Sequence, residues 1–271
     1  MQNKKPPLKA AFYCLACSQQ NNQESLWERR SIQKESVMPP QGAANVAVAL
    51  AQSVEYQGRK ASRHGSEQRR QLILDAAMRI VIRDGVRGVR HRAVAAEAGV
   101  PLSATTYYFK DIDDLINDTF AQYVERSAAF MAKLWQGTEG KLREMMAQGD
   151  GSHRARGLLA DDIARMTADY LQRQLLTRRD QLMAEQAFHQ AALINPRLAV
   201  LVRAHQQIFL QGAGQIFEVL GSTQPQQDAK VLTAIIGRME YQALLDGAQP
   251  EADDDRLAIL TRYMHLVLAA L

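Results

Sequence analysis

Cysteine is scarce in this chain, with two in 271 residues. Two thiols cannot build a disulfide framework, which excludes a small stapled secreted domain. Proline and glycine are sparse, at 8 and 16, so the bulk is neither collagen-like nor low-complexity. Aromatic residues make up 6%, and strict alternation of apolar and polar residues is missing, which argues against a β-sandwich. No uncharged apolar run approaches the roughly 18–20 residues of a membrane-spanning helix. A membrane partner is therefore not expected, and the expected location is the cytoplasm. Catalytic signatures are missing too. There is no GxSxG elbow, phosphate-binding loop, HExxH pair or Rossmann fingerprint, so the chain is not expected to be an enzyme. No cofactor or metal is implied.

What is abundant is Ala, Leu, Gln, Arg and Glu, in a chain that is 46% hydrophobic. That mix favours helix and supplies enough apolar surface for a real core. The net charge of +4 is unevenly spread. Arg59 to Arg92 carries ten Lys or Arg against three Asp or Glu, a local balance of +7 that leaves about −3 for the rest. A basic block beside an acidic remainder points to a nucleic-acid partner, although a solvated helix face would read the same way.

Residues 1–64 look unlike the rest. They carry Pro6-Pro7, Pro39-Pro40 and scattered Gln and Asn, with no sustained helical stripe. The expectation is a disordered extension, or a mis-called start with Met38 near the true one. Lys4 and Lys5 before Leu8–Cys17 only faintly imitate a signal peptide. Cys14 and Cys17 form a lone CxxC without further ligands.

From Ser66 onward the pattern is helical. Ser66 can cap a helix in which Leu72, Ile73, Ala76, Ala77, Ile80 and Val81 repeat at three- and four-residue spacing. Asp84-Gly85 ends it, with Gly85 suited to a left-handed position. Short helices fit Arg92–Ala98 and Leu102 or Ser103 to Phe109. A longer one starts near Asp111, Asp113 and Asp114, whose charges oppose the helix dipole, and runs to about Trp135. Residues 137–157 read as a Gly-rich connection around a short piece at Lys141–Ala147. Further helices fit Leu158–Leu176, Arg178–Ile194, Arg197–Leu220, Gln226–Leu245 and Asp253–Leu271.

The informative segment is Gly85–Leu115. Two short helices meet at Gly99-Val100-Pro101, which has the turn chemistry of a helix-turn-helix. Gly99 closes the first helix, Val100 plugs the core, and Pro101 tolerates only the opening of the next. The second helix is then free to enter a major groove. Its candidates are Leu102, Ser103, Thr105, Thr106, Tyr107 and Tyr108, flanked by Arg92 and Lys110. Hydroxyls bond phosphates or base edges, cations bond phosphates or guanine, and a methyl touches thymine.

Ala95-Ala96-Glu97-Ala98-Gly99-Val100, followed by Tyr107-Tyr108-Phe109-Lys110-Asp111 and Leu115, resembles the TetR/AcrR family of transcriptional regulators. The resemblance covers about fifty residues, from Gln68 to Phe120, and excludes the first 64. The run Pro101–Phe109 is most similar to the DesT-type branch, whose members sense long-chain acyl-CoA. The resemblance implies an all-α fold. An N-terminal three-helix DNA-binding head (65–115) would be joined by a long helix to a ligand-binding and dimerisation domain (116–271). It implies DNA contacts from Arg92, Ser103, Thr105, Tyr107, Tyr108 and Lys110, with Phe109 and Val94 in the core. Three departures stand out. Pro101 replaces a capping Ser, Thr106 a phosphate-contacting Tyr, and Ile112 a Lys that would anchor phosphate.

The resemblance further implies a dimer through the last two helices, where Ile235, Met239, Leu245, Leu257, Leu260, Met264 and Val267 suit a four-helix interface. It also implies an effector inside the middle helices. Candidate liners are Met166, Tyr170, Met183, Phe188 and Phe209, with Arg173, Arg178 and Arg179 as cations for the phosphates of an acyl-CoA. His189 and His205 read as surface or core residues, with a polar role in a pocket as the alternative. Gly212-Ala213-Gly214 marks close packing, a kink or room for a ligand. The expected function is a dimeric repressor on a palindromic double-stranded operator. Its effector is hydrophobic, either an acyl-CoA controlling fatty-acid genes or another small molecule controlling an efflux or catabolic operon.

Overall fold

The first helix of the computed structural model, α1 (His64–Asp84), buries Ile73, Leu74, Ala77, Ile80 and Val81, the positions that repeat every three or four residues. Residues 56, 58, 64–247 and 251–269 are described. The helix opens before Ser66, whose Oγ lies 2.8 Å from the Tyr108 hydroxyl instead of capping. Leu72, read as core, is 54% exposed, because Leu74 takes the inward position. Gly85 has positive φ (73°) but an extended ψ, and opens a short 3-10 turn at Val86–Gly88.

The helix-turn-helix consists of α2 (His91–Ala98) and α3 (Leu102–Tyr108). Gly99 is left-handed, at φ 65° and ψ 33°. The Val100 N–H reaches back to the Ala95 carbonyl at 3.0 Å, which satisfies a terminal acceptor of α2. Pro101 stays extended, and its carbonyl accepts the first helical bond of α3, from Ala104 N–H at 2.9 Å. The missing capping Ser therefore does not delay α3. Phe109 and Val94 are fully buried, as expected.

Helix α4 (Ile112–Gln148) runs for 37 residues and enters two hydrophobic cores. Asp111 caps it by accepting the Asp113 N–H at 3.0 Å. It does not end at Trp135, and the Gly-rich connection expected from residue 137 is mostly helix. Gly137 and Gly140 each cost about 1 kcal/mol relative to Ala. Leu142, 1% exposed, buries beyond them in a second core, and that burial outweighs the propensity.

Helices α5 (His153–Thr177), α6 (Arg179–Ala192), α7 (Pro196–Val219), α8 (Pro225–Asp246) and α9 (Glu251–Ala269) complete an all-α fold among the described residues. Ser152 caps α5, and Asn195 caps α7 with Pro196 just inside. One core joins α1–α4 to α6 and α7 through Phe109, Phe120, Phe188 and Val202. The other joins the end of α4 to α5, α7, α8 and α9 through Leu142, Phe217, Leu260 and Met264. Trp135 packs against both. The glycines of α7 make close packing possible, since a Cβ on Gly212 would meet the Trp135 indole at 2.1 Å.

A buried ion pair fixes α1 on α4. Arg70 Nη2 donates to Asp118 Oδ2 at 2.7 Å, with side chains 9% and 0% exposed. The Asp118 oxygen also accepts the Gly58 N–H at 2.8 Å. Arg70 lies 4.8 Å from the Tyr56 ring and 5.6 Å from the Phe109 ring. Tyr56 in turn donates to Glu125 Oε2 at 2.6 Å. Apart from Tyr56, Gly58 and His64, the extension expected at 1–64 lies outside the described residues. The lone CxxC and the Met38 start lie outside the described residues.

Removing only the acid of this pair strands a buried guanidinium. Asp118→Ala should cost about 3–5 kcal/mol in urea denaturation, whereas Arg70→Met combined with Asp118→Leu should cost far less. Unchanged stability in Asp118→Ala would show that the pair is not energetically buried.

Candidate DNA-binding surface and ligand cavity

On the helix-turn-helix, burial separates the predicted contacts into two sets. Arg92, Leu102, Ser103, Thr106, Tyr107 and Lys110 are exposed. Thr105 and Tyr108 are not. The Thr105 hydroxyl donates to the Leu102 carbonyl at 2.8 Å, inside the helix. The Tyr108 ring is 5% exposed, and its hydroxyl pairs with Ser66. Both are corrections: at positions i and i+3 of one helix, these side chains share the inward face. Tyr107 stands edge-on to Tyr108 at 5.1 Å and leaves about half its surface to solvent.

Salt bridges hold this surface in place. Glu97 of α2 accepts from Arg79 Nε at 2.7 Å and Arg83 Nη1 at 3.2 Å, both on α1. Those hydrogen bonds, Arg79 first, draw the Glu97 carboxyl below its usual range. Arg79 and Arg83 therefore serve packing, while Arg90 and Arg92 face outward.

The second site is a cavity of about 780 Å³ lined by α4–α9. Met166, Tyr170, Phe209, Arg173 and Arg178 line it, as predicted candidates. Three others do not. Met183 is 38% exposed on the other face of α6. Phe188 is fully buried and stacks on Phe120 at 4.3 Å, in the core below. Arg179 reaches away to donate to the Leu244 carbonyl at 3.0 Å. Arg178 lies over the Phe130 ring at 3.8 Å, a cation–π contact on the wall.

The polar lining was largely missed. Tyr123, Ser127, Gln174, Glu185, His189, His205 and Glu240 face the cavity. Glu185 accepts from the Tyr123 hydroxyl at 2.9 Å. Burial pushes the Glu185 carboxyl up. Burial, then the Glu185 charge, pushes Glu240 up to about 8. Burial also pushes His205 down to about 4. The available signals were Glu185 and His189 at i, i+4 on α6 and a lone acid, Glu240, in an apolar stretch of α8. Neither separates a pocket wall from a solvated face.

The expected dimer residues also divide. Met239, Leu260, Met264 and Val267 are buried in the second core of their own chain. Leu245 is 63% exposed, and Ile235 lines a shallow apolar groove with Val231, Met239 and Ile259. No helix among the described residues is long and apolar enough to cross a membrane.

The sequence profile of the bacterial regulatory proteins of the tetR family matches residues 73–119, which span α1 to the start of α4. HdnoR, a nicotine-responsive transcriptional repressor of Paenarthrobacter nicotinovorans, is 32% identical over 71 residues. That alignment takes in 26% of this chain and 37% of HdnoR. The multidrug binding protein EbrR, solved with proflavin, is 30% identical, covering 72% of this chain and 99% of EbrR at a TM-score of 0.42. A protein described as a TetR-family transcriptional regulator from Rhodococcus sp. is 20% identical, covering 74% and 99%, with a TM-score of 0.50. Residues 73–119 are thus a segment of the tetR family of bacterial regulatory proteins.

The raised Glu240 carboxyl makes a pH prediction. Folded, it holds its proton up to about 8, whereas its ordinary value is 4.5. Stability contributed by that proton is full below about pH 4.5 and is lost as pH rises towards 8. Glu240→Gln has no such proton to lose. Its Tm should exceed the parent's at about pH 8.5 and match it near pH 4. Equal Tm at both pH values would place Glu240 in water.

Proposed function

We propose that this chain is a dimeric repressor whose α3 enters the major groove of a palindromic operator, and whose cavity takes a hydrophobic small molecule that alters DNA affinity. It acts on cytoplasmic DNA. The division is into a head at 65–115 and a sensing body at 116–271, with α4 crossing between them. The observation that carries this reading is the exposed strip of Arg92, Ser103, Thr106, Tyr107 and Lys110 beside an outward-facing Arg90. Cations there would neutralise phosphates, and Ser103 and Thr106 hydroxyls would meet base edges. Leu102, 43% exposed at the start of α3, is placed to touch a thymine methyl.

Two-fold pairing would present two copies of α3 to half-sites a helical turn or a multiple apart. The last two helices support such pairing with residues other than those first expected. Val231 (47%), Ile259 (42%) and Leu266 (62%) are large apolar side chains left exposed on α8 and α9. Exposed apolar patches of this kind mark interaction surfaces.

The 71 residues shared with the nicotine-responsive repressor are too few to span a cavity lined from Tyr123 to Met264. The effector is therefore argued from the cavity itself. Its Phe, Tyr, Trp, Leu and Met walls suit an apolar body. Buried Glu185 and Glu240 bring no positive charge to an anionic one, and either carboxyl can pair with a base. That favours a neutral or basic hydrophobic molecule, as an efflux or catabolic operon would sense. An acyl-CoA of the DesT-type reading has Arg173 and Arg178 in its favour, since both line the wall.

The test is a footprint on DNA upstream of the gene and its neighbours, with and without hydrophobic amines and acyl-CoAs. A salt-sensitive two-half-site footprint that shifts with one class supports the reading and names the effector. No footprint would leave the cavity without a DNA output and favour a helical carrier. Lys110→Ala should weaken binding to every sequence and reduce the salt slope by about 1. Ser103→Ala should change which operator bases matter. Thr105→Val should leave base preference alone, because its hydroxyl is spent inside α3.

A further inference from the structure

The cavity holds one group of side chains that an apolar guest does not require. Glu185 and His189 lie one turn apart on α6, and His205 meets them from α7. His189 Nε2 lies 3.8 Å and His205 Nδ1 lies 3.9 Å from Glu185 Oε1. The three donor atoms are within 4.8 Å of one another. Both ring nitrogens are buried without a hydrogen-bond partner. The His205 side chain is 0% exposed.

Buried polar atoms are normally paired, and two of them turned to one carboxylate need a reason. Two imidazole nitrogens and a carboxyl oxygen converging on one point are electron-pair donors without an acceptor. The outer atoms of His205 and Glu185, by contrast, are tied down. His205 Nε2 sits 2.9 Å from Ser127 Oγ, which leaves Nδ1 to face Glu185. Tyr123 donates to the second Glu185 oxygen. The His205 ring is gripped by Phe209 at 5.1 Å and Tyr123 at 5.2 Å. Outer hydrogen bonds of this kind orient metal ligands.

We propose that Glu185, His189 and His205 form a site for a divalent transition-metal ion of the zinc class, with its remaining coordination position open to the cavity. Two imidazoles and one carboxylate suit zinc and its first-row neighbours. Calcium and magnesium prefer sets built of oxygen donors. Zinc ligands about 2.0–2.1 Å from the metal stand about 3.3 Å apart in a tetrahedron. The two separations to Glu185 close by about half an ångström to reach that geometry, and the third, within 4.8 Å, by up to about 1.5 Å. The charge balance permits it. Glu185 and Glu240 face Arg178, and the Arg178 guanidinium is seated over Phe130.

The inference rests on the cavity as the effector site and deepens it, but it does not depend on DNA recognition. An ion here gives an apolar chamber one point of strong directional attraction. The effector it fits has an apolar body carrying one coordinating nitrogen, oxygen or sulfur atom.

The experiment uses the full chain, stripped with a chelator and desalted. Zinc is titrated against a chromophoric competitor, with magnesium and calcium as parallel titrants. The same preparation is used for the DNA titration, so a failed site and a failed regulator are read separately. One tight equivalent of zinc per chain is expected, with no comparable binding of magnesium or calcium. His205→Gln, which can still bond Ser127, and the more exposed His189→Gln should each weaken it by about 100-fold or more. Both variants are first checked for an unchanged helical circular dichroism spectrum. If one variant fails to fold, the other decides. Cobalt in place of zinc should give a ligand-field spectrum without a thiolate charge-transfer band. A zinc equivalent insensitive to both substitutions, or one lost in Cys14→Ser with Cys17→Ser, would overturn the proposal. So would the absence of a tight equivalent, including the case in which only organic cations enter the cavity.

Discussion

The fold depends on how Arg70 meets Asp118. This is a cation from α1 and an anion from α4, both taken out of water, 2.7 Å apart. Burying either alone is expensive, and the pair recovers that cost only with good geometry and further hydrogen bonds. Asp118 has one such bond from the Gly58 N–H, and Arg70 rests between the Tyr56 and Phe109 rings. The pair therefore contributes placement more than net stability. Phe109 closes α3, and the guanidinium against it sets where α3 can end. The exposed strip of α3 takes its orientation from that stop, from the Glu97 bridges to α1 and from the Tyr108 ring beneath.

Helix α4 carries this placement into the body. Its first turns belong to the head, and it continues without a break past Gly137 and Gly140 to Leu142 in the second core. Near Trp135 its distance from α7 is set by the lack of a Cβ on Gly212. Trp135 and Leu142 line the cavity from α4, while Phe209 and Ala213 line it from α7. A molecule in the cavity thus presses on the same helix whose N-terminal part holds the recognition helix.

The sequence was most legible where backbone chemistry and pattern agree. Gly99 needs a left-handed turn, Pro101 can only open a helix, and the apolar repeat of α1 picks its buried face. The family resemblance rested on the adjoining runs Ala95–Val100 and Tyr107–Asp111, with Leu115. It was less legible where a tertiary contact overrules a local preference. Two glycines and a polar run read as a connection after Trp135, but Leu142 had a core to enter. Thr105 and Tyr108 look like contacts by residue type, and the helical period turns them inward. Phe188 and Met183 failed as liners for opposite reasons, one lying beneath the cavity and one outside it. The polar lining was read only as the alternative role of His189 and His205, and its carboxylates not at all. It comes from separate helices, with His205 and Glu240 each one residue in a long amphipathic stretch.

Occupancy of the cavity can change DNA affinity only if the ligand binds the DNA-competent and incompetent shapes with different free energy. Typical coupling of about 1–3 kcal/mol is small beside the cost of breaking a buried ion pair or emptying a core. The Arg70–Asp118 junction must then survive the switch, and the head must move as one body with the start of α4. Any change of shape falls instead on contacts that are cheap to alter. Gly137 and Gly140 have no neighbour within 4 Å of a Cβ position. The Arg178 guanidinium is held on its wall by a ring face. The donor atoms of Glu185, His189 and His205 stand about 0.5 to 1.5 Å wider than a metal would hold them. Drawing α6 and α7 together there would displace the α7 face that packs on Trp135. The displacement would reach the DNA surface as a tilt of α4, with the core of the head left intact.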